Sequence, residues 1–183
     1  MTRSTAQAES ATQAFAELVV MYRDLLEKLA ANPRQDVFAQ LHANLVNMVS
    51  GVLPLRGRKY YPQGISSGGT LRGAADYELV YQNLYATLDP LETRLAKIHC
   101  ILEGAIEWRG NLSEHLGDIY DDVMEGLRLY EQGGHKAHQR AAGHWHVGFD
   151  IHWGQNHVYN ALFILHYFVY NFEDLEEDEC EDE

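Results

Sequence analysis

The 183-residue chain is long enough for one domain with its own core, and its 46% hydrophobic content argues against disorder. Its formal charge of −13 disfavours direct nucleic-acid binding, because phosphate backbones demand a basic face. No apolar run approaches the ~20 residues of a membrane helix, and Met1–Ser10 lacks a signal-peptide core, so a cytoplasmic protein away from membranes is expected.

Predicted elements begin with a helix over 9–31, where Phe15, Leu18, Val19, Tyr22, Leu25, Leu26 and Leu29 recur at three- and four-residue steps. Asn32, Pro33 and Gln35 read as the capped start of a second helix carrying Phe38, Leu41, Leu45, Val49 and Val52. Residues 53–75 break the pattern. Arg56, Arg58, Lys59, Arg72, Tyr60, Tyr61 and several glycines predict a long basic loop there.

Helical spacing returns at Tyr77, Val80, Tyr81, Leu84 and Leu88. Asp89–Pro90–Leu91–Glu92 reads as a new helix start, with a capping aspartate, a proline whose missing N–H costs nothing there, and a returning glutamate. Asn111 and Glu114 form a second capping box before the stripe Leu112, Leu116, Ile119, Val123 and Leu127. After Gly133–Gly134, Ala141, Trp145, Gly148, His152, Tyr159, Phe163, His166 and Tyr170 lie on one seam, so His152 and His166 are expected to face inward.

No strand-like alternation persists. The expected fold is all-α, an up-and-down bundle of five or six helices over residues 1–172. Residues 173–183 hold nine acidic residues among eleven, which leaves about −4 for the body. That run reads as a solvated, disordered, solubilising tail, with a partner-binding arm as the other reading. Cys100 sits in an apolar stretch and Cys180 in the tail, so neither a disulfide nor a zinc site is expected.

The stretch from Tyr81 to His166 resembles the bacterial domain-of-unknown-function 5063 family. The resemblance is carried by Leu88–Asp89–Pro90, Leu112–Ser113–Glu114, Leu116–Gly117–Asp118–Ile119–Tyr120 with Asp122, then His152–Trp153–Gly154, Ala161–Leu162 and His166. It implies a compact helical domain of bacterial cytoplasmic proteins with no established reaction, and it supplies no catalytic residues.

Glu114, Asp118, Asp121, Asp122 and Glu125 mostly project opposite the Leu116–Ile119–Val123 stripe, which predicts a solvated face. Asp122 lies nearer its edge and is a plausible partner for His152 if their helices are adjacent. His152 and His166 are fourteen residues apart, about 21 Å on a straight helix. They cannot share an ion whose ligands each lie about 2 Å away. His152 and His157 stand roughly 140° apart around a helix and should face different neighbours.

Any metal would therefore need Asp118, Asp122, His152 or His157 together with ligands from other helices. No cofactor is expected. Trp145, Trp153 and the glycines beside them read as packing. Ser113 sits in a first helical turn, where serine is common, and nothing marks a nucleophile. Ser113, Asp118, Tyr120, Asp122, Trp145, His152, Trp153 and His166 form the candidate polar and binding set. The expectation is a non-catalytic protein-interaction module with a protein partner. The alternative is a metal-dependent or acid–base enzyme using Asp118, Asp122 and His152 between helices.

Overall fold

The computed structural model describes residues 3–55, 75–98 and 109–177, which are helical almost throughout. The described residues form six α-helices: α1 (Arg3–Ala31), α2 (Gln35–Val52), α3 (Ala75–Ile98), α4 (Leu112–Glu131), α5 (His135–Ile151) and α6 (Tyr159–Glu177). A 3₁₀ turn (Leu53–Leu55) ends α2, and a π-helical turn (Trp153–Val158) joins α5 to α6. Among the described residues there is no strand, and the chain is an all-α bundle.

The apolar stripes meet as their spacing dictates. Phe15, Val19, Tyr22, Leu26 and Leu29 of α1 are buried with Phe38, Leu41, Leu45 and Met48 of α2 in one core. Phe38 stacks on Phe168 of α6 at 4.6 Å. The Gln35 side-chain amide donates to the Val169 carbonyl at 2.9 Å. That bond ties the start of α2 to α6, while α2 itself starts after Arg34 with no side-chain cap. The expected Asn32–Gln35 capping box is therefore not formed.

The Asp89–Pro90 start signal is overridden. Helix α3 runs through Pro90, with Leu84, Leu88 and Leu95 on both sides of it fully buried. An interior proline costs about 3 kcal/mol. Three buried leucines at about 1.5–3 kcal/mol each outweigh that. Glu92, released from its own helix start, accepts a 2.8 Å hydrogen bond from the Leu112 N–H and so caps α4 instead. Asn111 is the α4 N-cap residue by position but makes no side-chain cap bond.

Two boundaries also move. Leu55 is buried, so the body extends into the start of the expected 53–75 loop; the remainder of that loop, 56–74, lies outside the described residues. At the other end α6 kinks at Asn171 and continues to Glu177, with Leu175 buried and its carbonyl accepting from Arg94 at 3.2 Å. The folded body thus passes the expected limit at 172. Residues 178–183, with Cys180, and residues 99–108, with Cys100, lie outside the described residues.

Candidate functional site

Helix α4 is covered by α1, α3, α5, α6 and the π turn. A helix packed on so many sides keeps little solvated face, and its aspartates turn inward with the rest. Asp118 is 2% exposed and Asp121 4%. Asp122 is largely buried as well, whereas Glu114 remains exposed. The expected solvated carboxylate face is thus corrected.

Two of these carboxylates have an imidazole against them. His152 Nδ1 lies 2.7 Å from Asp122 Oδ2, and His157 Nδ1 lies 3.5 Å from Asp118 Oδ2. His115 joins them from α4, with its Nδ1 3.2 Å from His157 Nδ1. The expectation that His152 and His157 diverge fails because the chain between them is π-helical. A π turn closes i to i+5, so residues five apart share a face, and their rings lie 4.8 Å apart. His152 itself, at φ −140° and ψ −88°, ends α5.

Burial pushes His157 down to about 4 against the opposing pull of Asp118, and burial also lowers His115. Both rings are neutral at pH 7. Tyr22 of α1, raised by burial and by Asp118, donates to the Leu116 carbonyl at 2.9 Å. Among the described residues no three His, Cys, Asp or Glu side chains are arranged to hold a metal ion. The contacts of Asp118, Asp122, His115, His152 and His157 form an inter-helix clasp that fastens the π turn onto α4. Replacing His152 by alanine is expected to cost about 1–3 kcal/mol, because it leaves Asp122 without that partner. Urea melts check the loss, and full stability with unshifted titration of the other histidines would contradict it.

The remaining candidate residues are placed elsewhere. Ser113 is fully buried in the first turn of α4, and its Oγ has no hydrogen-bond partner. Tyr120 lines a groove of about 430 Å³ between α1 and α3. Trp145 is fully buried, donates from Nε1 to the Val123 carbonyl at 2.8 Å, and lies 4.9 Å from the Phe15 ring. Trp153 is buried edge-on to Phe149, beside Gly148. A Cβ on Gly148 would come within 3.2 Å of that indole, which gives the glycine its reason.

His115 escaped the sequence reading. Its signal was the i, i+3 spacing to Asp118, which places both on one face of a helix taken to be solvated there.

The family model for domain of unknown function 5063 (DUF5063) matches residues 6–171. The chain belongs to this family. The match takes in α1 and α2, well upstream of the Tyr81–His166 stretch that carries the resemblance. No curated protein and no solved structure matches the chain.

In this DUF5063 domain the π turn has a second consequence. It adds a residue to one turn and so rotates everything beyond it. Ala141, Trp145 and Gly148 before the turn are buried. From its last residue onward the buried set is Val158, Ala161, Ile164, Leu165, Phe168, Phe172 and Leu175. The second half of the expected seam now points outward. Tyr159 is 56% exposed, Tyr170 is 72% exposed, and His166 is exposed rather than turned inward. Phe163 is half-buried under the Arg109 guanidinium, 4.3 Å above its ring.

Residues 151–172 contain no Asp, Glu, Lys or Arg. No helix among the described residues is long and apolar enough to cross a membrane. The exposed aromatic groups lie on the side of α6 opposite the buried Ala161, Ile164, Leu165 and Phe168.

Proposed function

We infer that this domain is a non-catalytic protein-interaction module of the cytoplasm, docking a protein partner through the outer face of α6. The observation that carries this reading is the uncharged run 151–172 with Tyr159 and Tyr170 standing out of it. Interface centres are depleted of charge and enriched in tyrosine and phenylalanine. Asp150 precedes the run and Glu173 opens the acidic segment that follows it, so a partner with an apolar centre and basic flanks fits best.

The clasp at the π turn supports the same reading from inside, because it holds the rotation that presents this face. Cytoplasmic residence rests on cysteine usage: two cysteines, one in an apolar stretch and one in an acidic run, form no disulfide pattern.

The test is co-purification from the native cell. Wild-type protein is expected to retain a partner that Tyr159→Glu with Tyr170→Glu loses, at unchanged melting temperature. Equal retention by the double variant would remove the α6 face. Absence of any partner, with tail deletion altering solubility alone, would remove the module.

An acid–base role for Asp118, Asp122 and His152 is the second reading, favoured by the 2.7 Å contact between Asp122 and His152. Stoichiometric metal in purified protein, with a chelator lowering the melting temperature, would promote it over the first.

A further inference from the structure

The seam between α2 and α6 is closely packed, and it sets two imidazoles around one opening. Phe38 and Phe168 stack at 4.6 Å with their planes 6° apart, and Phe172 lies 5.6 Å from Phe38. The Gln35 amide, bonded to the Val169 carbonyl at 2.9 Å, fixes the register of the two helices. Packing of this kind holds the backbones still and so fixes where side chains leave the seam.

On its solvent side lies an open pocket of about 110 Å³. Ala39 and His42 wall it from α2, and His166, Val169 and Tyr170 wall it from α6. His42 is half-buried and His166 is exposed. The His166 ring is supported by Tyr170 at 4.5 Å and, edge-on, by Tyr167 at 5.8 Å. The clasp histidines are engaged with carboxylates and with one another, whereas these two differ. Neither His42 nor His166 makes a hydrogen bond or ion pair to another described residue. Burial and the nearby His166 push His42 below the ordinary histidine range, so its ring is neutral at pH 7.

We propose that His42 and His166 form a two-imidazole site for a late transition-metal dication, Cu²⁺, Ni²⁺ or Zn²⁺, that links α2 to α6. The site stands apart from the docking reading and does not require it. Neutral imidazole suits these ions, whereas Mg²⁺ and Ca²⁺ take oxygen ligands. Two nitrogens about 2.0 Å from one tetrahedral ion stand about 3.3 Å apart. The exposed His166 ring has room to close to that distance, because the floor between the rings is only Ala39 and Val169. Water completes the coordination. A chain at −13 draws dications toward such a site. Two ligands leave the order of affinity to the metal itself, with Cu²⁺ the tightest.

Calorimetric titration of the untagged, metal-stripped full chain with Cu²⁺, Zn²⁺ and Mg²⁺ tests this, together with thermal melts. Wild type is expected to bind one Cu²⁺ more tightly than Zn²⁺, to ignore Mg²⁺, and to melt higher with Cu²⁺ present. The chain has ten histidines, so variants must locate the ion. His42→Ala and His166→Ala should each weaken that binding by about ten-fold or more and abolish the gain in melting temperature. Without metal, both should melt as wild type does. Wild type that binds no Cu²⁺ overturns the proposal, and so does binding that either variant leaves intact. Equal binding of Mg²⁺ overturns imidazole ligation. Binding that survives both variants and is lost in His152→Ala places the ion at the clasp instead, which favours the acid–base reading over this one. None of these outcomes alters the partner-retention test of the α6 face.

Discussion

Replacing Gly126 by alanine is expected to destabilise the fold by about 3 kcal/mol, a fall in melting temperature of about 6–12 °C. A methyl group at this position would overlap the Trp145 indole, with its Nε1, Cδ1 and Cε2 atoms the nearest. The indole cannot swing aside without cost. It is fully buried, donates to the Val123 carbonyl, and packs against Phe15. Relief must come from separating α4 and α5, which share the most extensive helix contact among the described residues.

A double-mutant cycle isolates the cause. Trp145→Phe removes the indole nitrogen, so adding Gly126→Ala in that background should cost at least about 1 kcal/mol less than in wild type. Equal costs in both backgrounds would mean that the alanine acts through something other than the indole.

The second large effect is on pH dependence, at Glu92. Burial raises this carboxyl to about 7 from the ordinary glutamate value of 4.5, despite the hydrogen bond it accepts from Leu112. A raised folded-state pKa means the native state binds more protons than the unfolded chain between those values. Its stabilising contribution is present below pH 4.5 and is lost as pH rises through 7, by about 3 kcal/mol. Glutamine keeps an acceptor oxygen for the Leu112 N–H and cannot ionise. The stability difference between wild type and Glu92→Gln should therefore shift against wild type by about 3 kcal/mol between pH 4.5 and 7.5. Urea titrations across that range measure it directly, and a constant difference would show that Glu92 is not the titrating group.

His157 works in the opposite direction. Held neutral down to about 4, it binds fewer protons than the unfolded chain between pH 4 and 6.5, so stability rises with pH over that window. In wild type these two slopes oppose each other, and the lowered His115 and His42 add to the histidine side. Glu92→Gln should uncover the histidine slope, and a variant whose stability does not rise between pH 4 and 6.5 would argue against a neutral His157.

Glu92 and Gly126 show what local spacing leaves undetermined. Glu92 was legible as a capping residue, and it does cap a helix. Proline, aspartate and glutamate at capping spacing were assigned to the local helix start. The burial of Leu84, Leu88 and Leu95 carried α3 through that start and delivered the carboxylate to another helix. Gly126 was invisible for a related reason: its role depends on an indole from α5 that no spacing within α4 can announce.

The chain by itself determined its helices and most of their buried stripes, because three- and four-residue periodicity is a local property that survives any arrangement. It also carried the family resemblance, and Trp145 and Trp153 as core residues. The tertiary structure alone decided which way the acidic side of α4 faces, since periodicity sets relative phase within one helix and not how many neighbours cover it. It decided the fate of the last seam as well. One π turn brings His152 beside His157 and sends His166 and Tyr170 to the surface, and such an insertion changes phase without changing a residue.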